Sequence, residues 1–122
     1  LCGAVAFRIE GELPASNACH CGQCRKQSGH YWASVDIPRT SLHMTAEATL
    51  RWFQSSEHAR RGFCGTCGSF LFWDPEKTDK IAVAMGALIA PTGGQIEKHI
   101  FVADKGDYYD ISDGLPQDMT PP

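Results

Sequence analysis

The sequence predicts a single, mainly β domain, a sandwich of short antiparallel strands. Three observations lead to this prediction. Short segments of alternating apolar and polar residues recur along the chain, glycine- and proline-rich turns separate them, and no segment sustains a helical period. A chain of 122 residues is long enough for one hydrophobic core and too short for two good ones.

The predicted strands follow one another closely along the chain. The first spans residues 5–9, where Val5, Phe7 and Ile9 alternate with Ala6 and Arg8. The others are predicted at residues 31–37, 50–54, 69–73, 81–85 and 95–102.

The segments between these strands are predicted to be turns and loops. Residues 91–94 read P-T-G-G, a turn, and the cysteine-rich run 19–24 is expected in a loop. Residues 25–29 allow one helical turn at most, and residues 45–50 carry a weak helical pattern. Residues 113–122, rich in proline and aspartate, are expected to form a loose tail.

Composition and charge argue against two classes of function. Lys plus Arg total 11 against 14 for Asp plus Glu, a net charge of −3, whereas nucleic-acid surfaces and membrane surfaces usually select a basic excess. A transmembrane helix needs about 20 consecutive apolar residues, and the apolar runs here are broken within a few residues. No nucleic-acid or membrane partner is therefore expected.

The cysteines are the most informative residues. Two C-x-x-C pairs are present, Cys21 with Cys24 and Cys64 with Cys67, and Cys19 extends the first pair to C-x-C-x-x-C. Such close clustering suits a metal better than disulfides, which usually close longer loops, so we expect free thiols that bind zinc in a reducing compartment, the cytoplasm. The full set is Cys2, Cys19, Cys21, Cys24, Cys64 and Cys67.

Spacing leaves open how the thiols divide among metal ions. A single four-thiolate ribbon would use Cys21, Cys24, Cys64 and Cys67, and spacing slightly favours it. A second partition keeps Cys19 with Cys21 and Cys24 around one ion, and three protein ligands with an open fourth position are typical of a catalytic zinc.

The ordered motifs resemble the glutathione-dependent formaldehyde-activating enzyme family, which includes the centromere protein V group. The likeness covers nearly the whole chain. Its motifs are Cys2-Gly3-Ala4-Val5, Cys19-His20-Cys21-Gly22-Gln23-Cys24-Arg25-Lys26 with Ser28-Gly29, Phe63-Cys64-Gly65-Thr66-Cys67-Gly68-Ser69, His99-Ile100-Phe101-Val102 with Lys105, and Asp113-Gly114-Leu115-Pro116.

This resemblance implies one zinc-containing, β-tent-like domain over residues 1–122 with two zinc ions per complete chain. It places Cys2, Cys64 and Cys67 in a structural zinc site, whose fourth ligand is expected just before Leu1 because the family pattern opens C-x-C-G. It places the remaining cysteines around a second, reactive zinc, where they would be the catalytic residues: Cys19, Cys21 and Cys24.

The resemblance also implies a function. It is that of a carbon–sulfur lyase, which condenses a small-molecule thiol such as glutathione with formaldehyde or a similar small electrophile to give S-(hydroxymethyl)glutathione or its analogue. Three thiolates on one Zn²⁺ make an electron-rich centre, which suits holding a thiolate better than making hydroxide. The alternative is a non-catalytic binding module that zinc stabilises.

Polar residues near the cysteines are the candidates for substrate binding. Arg25 and Lys26 follow the first cysteine run and can hold a substrate carboxylate, and the equally weighted alternative is that they are solvated surface charges. His30 can line the mouth of the site, but we favour a partly buried aromatic pair with Tyr31. His20, between two cysteines, is expected to point away from the metal and to be exposed. Arg60 and Arg61 precede the second C-x-x-C pair, and screening of the thiolate charge and plain solvent exposure explain them equally well.

Overall fold

The structure is a computed structural model that describes residues 1–120, and strands dominate it. One short helix and three single 3-10 turns, Arg39–Ser41, Met85–Ala87 and Val102–Asp104, complete the secondary structure of these residues. In chain order the elements are β1 (Ala6–Ile9), β2 (Ser16–Cys19), α1 (Gly22–Ser28), β3 (Trp32–Pro38), β4 (Leu42–Ala46), β5 (Leu50–Gln54), β6 (Arg60–Cys64), β7 (Phe70–Asp74), β8 (Lys80–Ala84) and β9 (Ile96–Ile100).

The strands form a seven-stranded sheet with a two-stranded sheet beside it. The larger sheet has the order β5-β6-β7-β8-β3-β2-β9, and the smaller pairs β1 with β4. All pairs are antiparallel except β2 and β9, which run parallel. The prediction of a mainly β domain of short, largely antiparallel strands is confirmed.

The hydrophobic core lies between the two sheets. Val35, Phe72 and Val83 of the larger sheet are almost fully buried there, and Phe7 of β1 packs on Phe72 with ring centroids 5.1 Å apart. Side chains alternate between the faces of a strand, so the core residues leave Ala82 and Ala84 on the other face of the sheet. That second face carries the candidate site.

The sequence patterns missed β2, β4 and β6. The segment S-N-A-C of β2 has no apolar alternation, and its order comes from hydrogen bonding to β3 on one side and β9 on the other. Residues 42–46 form a strand because β1 pairs with them, against the weak helical pattern at 45–50. In β6, Gly62 breaks the alternation because a Cβ there would lie 2.8 Å from the ring of Trp52.

The helix α1 is longer than the single turn we predicted, and the first cysteine run is therefore not a loop. It spans seven residues, and Cys21 caps its start by accepting a hydrogen bond from the Cys24 amide. Gly29 ends it in the left-handed conformation, φ 85°, which glycine adopts at little cost. No helix within residues 1–120 is long and apolar enough to cross a membrane.

The described part of the C-terminal segment is held against β9 rather than loose. The His99 amide donates to the Pro116 carbonyl at 2.9 Å, and the Asp118 amide donates to the His99 carbonyl at 2.8 Å. The Val102 amide donates to the Asp118 carbonyl at 3.0 Å. The expectation of a loose tail thus does not hold for residues 113–120, and residues 121–122 lie outside the described part of the chain.

Asp74 offers a test of the packing at the end of β7. Its side chain is buried and forms ion pairs with Arg39 and Arg60, which are each about one third exposed. We expect Asp74→Ala to lower the free energy of unfolding by about 1–3 kcal/mol, because it leaves both cations without their partner but able to regain some water.

Urea denaturation measures this effect. Glu76→Ala is the control, since Glu76 lies 4.0 Å from Arg60 with 41% of its side chain exposed, and its loss should cost less than about 0.5 kcal/mol. Equal costs for the two variants would contradict the prediction.

Candidate functional site

The first thiol group consists of Cys19, Cys21 and Cys24. Cys19 ends β2, Cys21 caps α1, and Cys24 lies in the first turn of that helix, so a strand, a tight turn and a helix bring the three sulfurs within 4.8 Å of one another. Cys19 and Cys24 are buried, whereas Cys21 is partly exposed. Hydrogen bonds with the other two thiols, of which the Cys19 bond has the larger effect, lower the pKa of Cys21 to about 2.

The second thiol group consists of Cys2, Cys64 and Cys67. Cys64 ends β6, and Cys67 lies in the turn before β7 that the Gly68 amide closes by donating to the Cys64 carbonyl at 2.8 Å. Hydroxyl groups support the sulfurs: the Ser69 Oγ lies 3.3 Å from the Cys67 sulfur. This contact is the largest cause that lowers the pKa of Cys67, to about 5.

Both thiol groups could hold a metal ion. All six cysteines are free thiols. The sulfurs of Cys2 and Cys64 are 3.7 Å apart, close to the edge of about 3.8 Å that a tetrahedron has when its zinc–sulfur bonds are about 2.3 Å long. The groups divide the cysteines as the resemblance implies, and a single ribbon that combines Cys21 and Cys24 with Cys64 and Cys67 does not match this arrangement.

A cavity of about 800 Å³ opens beside the first thiol group, and we refer to it as the site cavity. All three sulfur-bearing residues of that group line it, and none of the second group does. Of the three residues predicted to bind substrate, Arg25 and Lys26 line the site cavity, but His30 does not. The remaining lining residues are Asn17, Gly22, Gln23, Trp32, Ser34, Asp36, Ser56, Arg61, Trp73, Ala82, Ile100, Phe101, Asp104 and Lys105.

Comparison with known proteins identifies the family. The model of the family described as glutathione-dependent formaldehyde-activating enzyme matches residues 1–104. The chain belongs to this family. Among solved structures it is similar to a protein of Rhodobacter sphaeroides, with a TM-score of 0.61 and 23% identity, over 74% of this chain and 86% of that one, a likeness of fold alone. Comparison with curated proteins gives no match.

In this member of the formaldehyde-activating family, Arg61 lies against the first thiol group, although it precedes the second C-x-x-C pair in the sequence. Register places Arg61 opposite Trp73 on the face of the site cavity, while Arg60 turns to Asp74. Both terminal nitrogens of Arg61 are 3.7 Å from the Cys24 sulfur, and one also lies 3.3 Å from the Gln27 side-chain oxygen.

The burial of Arg61 is a second reason to link this residue with the sulfurs of the first thiol group. Its side chain is buried, and its Nε has no hydrogen-bond partner among the described residues. A buried guanidinium without a carboxylate is costly unless other negative charge offsets it. The Cys21 thiol can supply that charge, since Arg61 is among the groups that lower its pKa. Spacing gave no signal of this contact, because 37 positions separate Arg61 from Cys24.

His20 is fully buried, which corrects the expectation that it is exposed. Its Nδ1 lies 2.6 Å from the Tyr109 hydroxyl, and its Nε2 lies 2.8 Å from Nδ1 of His99. His99 in turn contacts Asp113 at 2.8 Å. Burial lowers the pKa of His20 to about 4, and the hydrogen bond with His99 lowers the pKa of Asp113.

His30 packs beside this chain of hydrogen bonds rather than on the site cavity. Its ring centroid is 4.4 Å from that of Tyr31 and 4.5 Å from that of Tyr109. Its assignment as a substrate-binding residue stays a prediction, and any influence would pass through these aromatic neighbours.

Metal content tests the division into two thiol groups. We expect Cys24→Ser to remove about one zinc ion per chain, because the first group loses one of its three thiolates, and Cys67→Ser to remove the ion of the second group. Elemental analysis after gel filtration measures the content, and circular dichroism checks the fold. Loss of both ions from a folded single variant would contradict two independent sites.

Arg61→Met tests the contact between Arg61 and the first thiol group. Loss of the charge beside Cys24 should weaken zinc binding there by about tenfold or more, as is usual for a group that supports a metal ligand. Arg61→Lys should weaken it less, since the charge is kept.

A chelator competition experiment measures this affinity. Arg8→Met is the matched control, because Arg8 is exposed on β1 and lies outside both thiol groups. An affinity of Arg61→Met equal to that of Arg8→Met would show that Arg61 does not act on the thiols.

Proposed function

We propose that the first thiol group and the site cavity catalyse the addition of a thiol such as glutathione to formaldehyde or a similar small electrophile, the reaction of a carbon–sulfur lyase. The observation that carries this proposal is the contrast between the two thiol groups. Cys19, Cys21 and Cys24 line a cavity of about 800 Å³, large enough for a tripeptide-sized ligand, whereas Cys2, Cys64 and Cys67 lie away from it. This contrast supports a reactive first group and a structural second group.

The chemistry needs a site that holds a thiol as its thiolate. Zinc bound there would lower the pKa of an incoming thiol, so that its thiolate would be available near neutral pH. Cys19, Cys21 and Cys24 would hold that ion, and the Arg61 guanidinium offsets part of their negative charge.

The reaction itself is an addition. The substrate sulfur bonds to the carbonyl carbon, the π electrons of the carbonyl move to its oxygen, and the proton that left the thiol ends on that oxygen. No oxidant or reductant is needed. Since the addition also proceeds unaided, most of the gain comes from holding both reactants together in the cavity.

Positive charge around the site cavity supports a thiol that carries carboxylates. Arg25 and Lys26 in the last turn of α1 and Lys105 after β9 all line the cavity. The Arg25 Nε donates to the Asp104 carbonyl at 3.0 Å, which holds the guanidinium at the rim, and Arg geometry suits a carboxylate. Glutathione has two carboxylates, so this rim fits its charge.

Exchange spectroscopy tests the proposed reaction. We expect zinc-replete protein to accelerate the NMR exchange between glutathione and S-(hydroxymethyl)glutathione, and Cys21→Ser to abolish the acceleration because it removes a partly exposed sulfur that faces the cavity. Cys67→Ser, measured with its first site loaded, should keep most of the acceleration.

Absence of acceleration by protein with both sites loaded would reject glutathione and formaldehyde as substrates. It would favour the alternative of a zinc-stabilised binding module. Equal acceleration by wild type and Cys21→Ser would place the reaction elsewhere.

A further inference from the structure

We infer that the electrophile which this site accepts best is an aldehyde that carries an aromatic group, and that the sheet face of the site cavity binds that group. The inference rests on the proposed thiol addition and deepens it by naming the substrate class. Its basis is the shape and polarity of the wall that faces the first thiol group.

Small side chains form a hollow in this wall. Ala82 lies in register with Asp36 of β3 on one side and with Trp73 of β7 on the other. The small side chain of Ala82 therefore lies next to the large indole of Trp73. Ser34, two residues before Asp36, lies on the same face. Because side chains in register are only about 5 Å apart, the hollow at Ala82 is bordered directly by Trp73.

A second aromatic residue is held at this cavity in an uncommon backbone conformation. Phe101 has φ 55° and ψ 39°, the left-handed region, and is the only residue other than glycine with positive φ within residues 1–120. This conformation costs free energy for a residue with a Cβ. The amide of Asp104 donates to the Phe101 carbonyl at 3.1 Å, which helps to hold it.

Phe101 and Ile100 line the site cavity together with Trp32 and Trp73. Phe101 and Trp73 also pack against the cluster that contains Cys19 and Cys24. The fold therefore keeps aromatic rings close to the sulfurs of the first thiol group.

The cavity has a cationic rim and a less polar hollow, and the thiol and the electrophile would each use a different one of these two parts. Glutathione is a charged peptide, and its carboxylates match the cationic side chains at the rim, Arg25, Lys26 and Lys105. Its polar backbone gains little from the hollow beside Trp73.

The part of the hollow beside Trp73 is thus left for the electrophile. Formaldehyde has no substituent to place there. A ligand gains binding free energy at such a surface by burying apolar area. An aromatic ring would gain from that burial and from the edge or offset contacts that aromatic pairs prefer, with Trp73 or with Phe101. Its carbonyl carbon would then be available to the sulfur held at the first thiol group.

The step balances as a simple addition. A carbon–sulfur bond forms, the carbonyl π bond breaks, and the thiol proton ends on the former carbonyl oxygen, so that the product is an aromatic hemithioacetal. Nothing is oxidised or reduced.

Two pairs of matched compounds test the inference with zinc-replete protein and glutathione. Phenylglyoxal and methylglyoxal share one reacting group and differ in the ring, and we expect kcat/KM for hemithioacetal formation to favour phenylglyoxal by about tenfold beyond the ratio of their uncatalysed rates. S-benzylglutathione and S-methylglutathione make the same comparison by calorimetry without turnover, and the benzyl compound should bind about tenfold more tightly.

Substitutions in the hollow test whether the preference for the aromatic compounds arises there. Ala82→Leu should fill it and reduce both preferences to about twofold or less. Ala87→Leu is the matched control, since Ala87 is exposed in a 3-10 turn and does not line the cavity. Because Ala82→Leu can disturb the sheet, Phe101→Asn provides a second variant: asparagine tolerates the left-handed conformation and removes the ring.

The outcomes separate this inference from the proposed function. Acceleration of both aldehydes without a phenyl preference, and equal binding of the two thioethers, would overturn the aromatic class and leave thiol addition standing. Acceleration of neither aldehyde nor of formaldehyde exchange would overturn thiol addition and this inference with it. A preference that Ala82→Leu and Phe101→Asn leave intact would also overturn the assignment to this wall.

Discussion

The structure depends on the hydrogen bonding of β2 to a neighbour on each side. Antiparallel β3 and parallel β9 hold this strand of four residues, and beyond its end the His20 amide still donates to the Ile100 carbonyl at 3.0 Å. Cys19 is thereby fixed at the strand end, and the turn that follows must place Cys21 and Cys24 beside it. The same parallel pairing carries β9 to the cavity wall at Phe101 and gives the C-terminal segment an edge to bind.

The two faces of the larger sheet have different tasks because side chains alternate along its strands. One face packs Val35, Phe72 and Val83 against the smaller sheet and supplies the apolar burial that stabilises the domain. The other face carries short side chains such as Ala82 and Ser34 where a second layer would need large ones, and the site cavity occupies that space. A sheet with both faces filled would have no room for substrate.

Charge gives the first thiol group its particular character. Three clustered thiols repel one another when they ionise, and the buried Arg61 provides a positive charge at 3.7 Å from the Cys24 sulfur. Hydrogen bonds also run from the buried His20 through the buried His99 to the exposed Asp113, and they tie β2, β9 and the C-terminal segment together. The chain that carries these features belongs to the formaldehyde-activating family.

The sequence by itself determined the elements whose cause is local. Local strand patterns predicted β1, β3, β5, β7 and β8 within one residue, and C-x-x-C spacing identified each pair of thiols. Spacing alone could not divide the cysteines between sites, because Cys2 meets Cys64 across 62 positions. Arg61, the buried His20 and the aromatic wall with Phe101 were likewise settled by tertiary structure alone. Their roles follow from strand register and sheet order, which depend on long-range pairing that no local pattern encodes.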